Sequence, residues 1–334
     1  IAGRRRLVMA AKRRQARQGH FNLLAPDGST SLGDCMNGDT LVGRTVAGYH
    51  LKRYVGEGGT ATVYRAEHPE RGTAAVKILR SRLSGDPVAV KRFLREAEYG
   101  ARVSHPNIVR AYDYGQADGL HYLALEWAEG EPLAEFVTRS GSLSPALVAK
   151  IIEQIGAALT AAHHAGIIHR DLKPANIMYN PVEQSAKLLD FGIARDSESN
   201  PEERLTRAGF FVGTLQYVAP ETLSGELVKE QADVYSLATI TYYLLTGALP
   251  FTGKSPRELF QQLLTQPPIA LHDARKGLRF PPAVEAAVMH GLERDLAKRS
   301  KTVDEFAQAF CTAVREEAPK RPGFLAGLFR KGGT

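Results

Sequence analysis

The chain has 334 residues, of which 43% are hydrophobic and 24% charged, with a formal net charge of +7. That length suits one large domain or two small ones, and the apolar fraction fills a substantial core. The charge does not describe a nucleic-acid-binding body. Residues 1–47 hold eight Arg and Lys against three Asp, and residues 316–334 hold four against two, so residues 48–315 carry no net charge.

No stretch approaches 18 consecutive apolar residues, so no membrane-spanning helix is expected. Cys35 and Cys311 lie far apart and match no metal-ligand spacing, which points to free thiols in a reducing, cytoplasmic setting. The sequence starts "IAGRRRLV" without Met or an apolar signal core. It reads as a trimmed fragment, so missing targeting features carry little weight.

Residues 1–19 are dense in Arg, Lys and Ala and have helical texture without a continuous apolar face. The stretch "APDGSTSLGDCMNGD" (25–39) is rich in Gly, Asp and Ser and reads as a linker. From Gly48 the texture changes. "HLKRYVGEGGTATVYRAEHP" predicts two strands joined by a glycine turn, and "GTAAVKILR" a third. Residues 87–103 predict a helix with Phe93, Leu94, Ala97 and Ala101 at core-facing spacing. Strands are expected over "IVRAYDYG" and "LHYLALEWA", which closes a small strand-rich lobe near residue 126. Helices dominate afterwards. "SPALVAKIIEQIGAALTAAHHAG" offers Ser144 as cap, Pro145 in the first turn and Gly166 past the end. "EQADVYSLATITYYLLTG" predicts a long apolar helix closed by Gly247, and "PPAVEAAVMHGLER" and "TVDEFAQAFCTAVREE" predict two more.

Three stretches carry chemistry. In "VGEGGTATV" (55–63), glycines in a strand–turn–strand setting let backbone N–H groups approach phosphates, although a plain tight hairpin reads the same way. No helix is expected directly after it, which argues against a dinucleotide fold or a Walker-type loop. Lys77 sits inside the apolar strand "AAVKIL" and needs a counter-charge there, for which Glu96 on the following helix is the natural candidate; snorkelling to solvent is the alternative. Asn176 and Asp190 are candidate ligands for a hard, octahedral ion such as Mg²⁺.

The stretch from Gly48 to Ala313 resembles the protein kinase family, and among its members the bacterial serine/threonine kinases of eukaryotic type. The residues that carry the resemblance are the glycine loop, "AVK" (75–77), "HRDLKPAN" (169–176), "DFG" (190–192), "APE" (219–221) and "DVYSLA" (233–238), all in family order. The resemblance implies an α+β, bilobal protein kinase fold, with an N-lobe of strands and one regulatory helix over 48–126 and a larger helical C-lobe over 127–313. A basic tail and linker (1–47) and a short basic and apolar tail (314–334) flank it.

It also implies roles. Lys77 pairs with ATP phosphates and is held by Glu96. Asp171 orients the acceptor hydroxyl and takes its proton, and Lys173 steadies the transferred phosphoryl group. Asn176 and Asp190 hold Mg²⁺, with Mn²⁺ as a substitute. Val55, Gly56, Gly58 and Gly59 form the phosphate loop, while Val63, Ala75 and Met178 sandwich the adenine. Leu125 takes the gatekeeper position and Glu126 to Ala128 the hinge. Glu221 and Arg299 match the family's buried ion pair, and Asp233 braces the catalytic loop. Lys173 in "DLKPAN", and "GTLQY" (213–217) with Thr214, fit the serine/threonine rather than the tyrosine class.

Some positions depart from the family pattern. Ala61 replaces the third loop glycine, and Ala238 replaces a common glycine. Gly100 stands four residues after Glu96, where relatives carry a larger residue, so the helix is expected to be loosely held. Control is expected through Arg170 and a phosphorylated activation segment between Asp190 and Glu221, where Thr206 is the first candidate among Ser197, Ser199, Thr206 and Thr214. The N-terminal tail reads as a solvated tail, a docking segment, or a contact for acidic lipid or nucleic acid. "GFLAGLFRKGG" (323–333) is apolar but too short to span a membrane; in relatives a linker and membrane segment follow the kinase domain. The expected partners are a protein bearing a Ser or Thr acceptor and a second copy for trans-autophosphorylation. The competing reading is a weak or inactive kinase-shaped scaffold that binds nucleotide and works through protein interaction.

Overall fold

The computed structural model describes residues 41–190, 215–224 and 228–316. These divide into two compact units. The first holds the described residues up to His105 together with Val109–Glu131, and the second holds Pro106–Ile108 and the described residues from Pro132 onward.

In the first unit, strands β1 (Thr45–Val46), β2 (Tyr49–Glu57), β3 (Ala61–His68) and β4 (Gly72–Leu79) precede helix α1 (Pro87–Arg102), and β5 (Ala111–Ala117) and β6 (Leu120–Glu126) follow it. They form one six-stranded sheet in the order β1-β2-β3-β4-β6-β5, with antiparallel neighbours throughout. Side chains alternate across a pleated sheet, so two sets of residues separate. Leu51, Tyr64, Ala66, Ala74, Val76, Ile78, Tyr122 and Ala124 bury one face as a core. The register Val63↔Lys77↔Leu123 and Ala75↔Leu125 places the other set on the opposite face. The expected strand over "IVRAYDYG" starts later than its apolar residues suggest, at Ala111; Ile108 instead makes an isolated parallel bridge to Leu188 within the second unit.

Helix α1 starts at Pro87 because Asp86 accepts a hydrogen bond from Val88 N (2.9 Å) and proline costs nothing in a first turn. Only Phe93 and Ala97 of its 16 residues are buried. Leu94 is half-buried and Ala101 is exposed, so the core-facing stripe is narrower than the spacing predicts.

The second unit is mostly helical. Helices α2 (Leu133–Ser140) and α3 (Pro145–His164) lead into the hairpin β7 (Ile177–Asn180) and β8 (Ser185–Leu188). Helices α4 (Pro220–Ser224), α5 (Gln231–Thr246), α6 (Pro256–Thr265), α7 (Pro282–Gly291) and α8 (Val303–Glu316) complete it. Ser144 caps α3 by accepting from Leu147 N (3.3 Å), and Gly247 closes α5 in the left-handed conformation at φ 65°. Helix α3 corrects the expectation drawn from hydropathy. With 20 residues and a mean hydropathy of 1.2 it is long and apolar enough to cross a membrane, yet its apolar positions pack on α8 and α5 as a core helix does.

Helix α5 is buried all round, with 14 of its 16 residues inaccessible, which is the position of a central core element. Its Ser236, Thr239, Thr241 and Thr246 hydroxyls each donate to the carbonyl four residues earlier, at 2.7–3.0 Å, so none is left unsatisfied in the core. Gly291 of α7 lets this packing close. A Cβ there would lie 2.6 Å from both Ala238 and Phe306.

Candidate active site

On the face of the first unit opposite its core, the register aligns Gly56, Val63, Ala75, Lys77 and Leu125. Lys77 Nζ donates to Glu96 Oε1 at 2.8 Å, with the lysine side chain only 13% exposed. A half-buried ammonium in an apolar strand is thus paired by α1, and it does not snorkel. Glu126, expected to open the hinge, is tied through its N–H to Arg110 O (2.8 Å) and accepts from Arg110 N at Oε2 (3.2 Å). The Trp127 ring lies under the Arg65 guanidinium at 5.0 Å, and Ala128 is half-buried.

The glycine turn between β2 and β3 has a supporting shell that its sequence does not announce. Gly58 N donates to Ala61 O (2.8 Å) and closes the turn. Arg80 N donates to Thr60 O (3.0 Å), the Arg80 guanidinium to Gly58 O (3.4 Å) and Arg82 to Gly59 O (3.0 Å). Arg80 also pairs with Glu57. Val55 is buried beneath the turn.

In the second unit, residues 171–176 bring three functional groups onto one short stretch. Lys173 Nζ donates to Asp171 Oδ2 at 3.0 Å, and Asn176 Nδ2 donates to the Asp171 carbonyl at 2.9 Å. Leu189 N donates to the Asn176 carbonyl (2.9 Å), so the β7–β8 hairpin brings Asp190 next to Asn176. Met178 is buried in β7.

This stretch hangs from the core through Asp233 of α5. Its carboxylate accepts from His169 N (2.8 Å), Arg170 N (2.9 Å) and His163 Nε2 (2.8 Å). Burial alone pushes the Asp233 carboxyl up, but the bond from His163, the two imidazoles and the His169 N–H together hold it below its usual range. Arg170 sits at φ 62°, a left-handed conformation that costs a non-glycine residue roughly 1–2 kcal/mol. Its bond to Asp233 offsets that strain. Burial holds the His169 imidazole below its ordinary pKa against the pull of Asp233, Asp171 and Asp190, and its Nδ1 accepts from Asp171 N at 3.3 Å.

Glu221 and Arg299 form a buried fork. Arg299 Nη1 meets Glu221 Oε1 at 2.6 Å and Nη2 meets Oε2 at 3.1 Å, while its Nε and Nη1 also bind the carbonyls of Glu293 (2.7 Å) and Gln231 (2.9 Å). The guanidinium lies 5.1 Å from the Tyr235 ring.

The donor set suits Mg²⁺. With its amino group committed to Asp171 O, Asn176 keeps its carboxamide oxygen for a metal, and Asp190 follows Leu189, whose N–H binds the Asn176 carbonyl. Among the described residues no group of three or more His, Cys, Asp or Glu is arranged to hold a metal ion by itself. A hard ion held by one or two protein oxygens, with phosphates and water completing its octahedron, needs no such group.

Ser197, Ser199, Thr206 and Thr214, and residues 1–40 and 317–334 of the two tails, lie outside the described residues; the end of the expected linker, from Leu41, is described and carries β1. The sequence reading missed Arg80, Arg82 and His163. His163 had a signal, since a histidine inside the Ala-rich end of a core helix needs a partner; the two arginines had none.

The protein kinase domain family matches residues 49–324. The chain belongs to the protein kinase family. It is closely related to bacterial serine/threonine kinases. It is 38% identical over 310 residues to the serine/threonine-protein kinase pkn3 of Myxococcus xanthus, covering 88% of this chain and 56% of that protein. It is 39% identical over 279 residues to PknH of Mycobacterium tuberculosis, covering 83% and 44%. The chain thus spans about half the length of these curated relatives. Among solved structures, the Mycobacterium tuberculosis PknI kinase domain matches with a TM-score of 0.64 at 30% identity, covering 82% of this chain and 100% of that one. A kinase of this family uses ATP with Mg²⁺ and acts on protein.

Proposed function

We propose that this chain is an ATP-dependent serine/threonine protein kinase that transfers the γ-phosphoryl group to a protein hydroxyl and phosphorylates its own activation segment. The observation that carries the reading is the 171–176 stretch, where a carboxylate, an ammonium and a carboxamide meet within 3.0 Å contacts. Protein kinases accelerate transfer by positioning and electrostatics, and this is a set for both.

Lys77, aimed by Glu96, holds the ATP phosphates, and the N–H groups of the glycine turn cover them. Asp171 accepts the proton of the acceptor hydroxyl and directs its oxygen at the γ-phosphorus. The new O–P bond forms as the bond to the β–γ bridging oxygen breaks, and ADP leaves. Lys173, already beside Asp171, places positive charge against the oxygens of the moving group. Asn176 and Asp190 would hold Mg²⁺, which would supply charge neutralisation for the phosphates. Arg170 offers a docking charge for a phosphorylated Thr206.

The test is turnover of radiolabelled ATP with Mg²⁺, with and without a generic basic acceptor protein, followed by mass spectrometry. Label on the acceptor and on Thr206, absent in Asp171→Asn, is the expected result. ATP binding without transfer, at any chain concentration, would leave only the scaffold reading. If Thr206→Ala keeps full activity and gains nothing from preincubation with ATP, self-activation through that threonine is wrong.

A further inference from the structure

We propose that Arg80 and Arg82 are positioning residues for ATP, holding the glycine turn so that its amides face the phosphates. The inference rests on the kinase reading above and deepens it, because neither arginine belongs to the motifs that carry that reading.

The argument begins with the peptide plane. In a trans peptide the carbonyl of one residue and the N–H of the next point in opposite directions. The Arg80 guanidinium takes the Gly58 carbonyl and the Arg82 guanidinium the Gly59 carbonyl, while the Arg80 backbone N–H takes the Thr60 carbonyl, all from the segment that follows β4. The N–H groups of Gly59, Thr60 and Ala61 share those three peptide planes and therefore aim the other way. Three consecutive amides turned to one side make an anion-binding concavity.

Each arginine is itself held. Arg80 pairs with Glu57 at the end of β2, and its carbonyl accepts from Leu83 N (2.8 Å) and Ser84 Oγ (3.4 Å). Residues Ser81–Leu83 form a single tight turn that carries Arg82. The clamp thus joins the loop to the end of the same strand that carries Lys77.

Gly59 supplies an independent observation. A Cβ built there meets nothing within 4 Å, and its backbone is not left-handed. Neither packing nor conformation demands glycine at this place. A ligand that approaches the backbone closely does. A free glycine turn samples many conformations, and ordering it on binding lowers affinity. The Gly58 and Gly59 carbonyls, fixed in advance by the two charged side chains, remove part of that cost.

The experiment compares ATP and adenosine, which differ only in the phosphates. Displacement of a fluorescent ATP analogue, with Mg²⁺ present, gives both affinities for the wild-type chain, Arg80→Ala/Arg82→Ala and Arg80→Lys/Arg82→Lys. The double alanine variant is expected to bind ATP about tenfold more weakly, the scale of losing hydrogen bonds to charged groups, with adenosine affinity unchanged. The lysine variant recovers part of the loss.

Equal weakening of ATP and adenosine overturns the proposal, since it marks a disturbed sheet and not a misplaced turn. Unchanged ATP affinity overturns it too. A wild-type chain that binds no ATP removes the kinase reading and this inference together, whereas tight wild-type binding with an indifferent alanine variant removes only this inference.

Discussion

Replacing Gly100 with Ala tests how firmly α1 is held, because Glu96, which orients Lys77, lies on that helix. A Cβ at position 100 meets only the Ala111 Cβ, at 3.7 Å, an ordinary van der Waals distance. The added methyl therefore fits without strain. Glycine inside a helix costs about 1 kcal/mol relative to alanine. A buried methyl adds up to about 0.8 kcal/mol, and this half-buried site realises only part of it. The expected gain is about 1–1.5 kcal/mol, close to a tenfold shift in the local opening of α1.

Native-state hydrogen exchange reads this shift directly. Amides of α1 should gain roughly tenfold protection in Gly100→Ala, while those of α5 follow only the global stability. Phosphoryl transfer should rise in step if the open helix limits activity. Unchanged protection, or protection in the wild type that matches the sheet and is indifferent to nucleotide, would refute the loosely held helix.

Three other outcomes follow from packing and charge. Glu221→Gln should cost about 3–5 kcal/mol in urea unfolding, because it leaves the Arg299 guanidinium buried without its carboxylate. Glu221→Leu with Arg299→Met should cost well under the sum of the single changes, and additivity in that cycle would refute the coupling.

Stability should fall on acidification in two stages. His169, held below its ordinary 6.5, refuses a proton that the unfolded chain accepts, so its contribution is complete above that value and declines as pH falls below it. Asp233, held below its ordinary 3.8, contributes above that value, and its share is lost as pH drops through the folded pKa. Melting temperature from pH 7.5 to 3 checks both, and the first stage should vanish in His169→Gln.

Burial pushes the Cys311 thiol up to about 11, and its Sγ donates to Ala149 O at 3.4 Å. In a Cys35→Ser background, iodoacetamide at pH 8 should label Cys311 only after unfolding. Labelling of the native chain would contradict its burial.

The sequence made α3 and α5 legible because α3 carries a serine cap and both are followed by a glycine, signals whose chemistry is local. The core-facing spacing of α1 failed at Ala101, since periodicity names a face but not the width of the surface that covers it. Helices α2 and α6 went unread: each buries only two residues, Leu133 and Val137 in one and Leu259 and Leu263 in the other, too few for a period to stand out. The motif residues of the site were readable in order along the chain, and Lys77 announced its need for Glu96 by sitting in an apolar strand. The Arg80 and Arg82 contacts were not readable. They fall on backbone carbonyls, which every residue carries and no letter of the sequence marks.

Asp233 grips the turn that precedes Asp171 by the backbone amides of residues 169 and 170. Any residue but proline offers an amide, and glycine or asparagine accepts a φ of 62° more readily than arginine does. That hold is therefore written in the main chain, in two amides and one left-handed turn, and not in the letter at position 170.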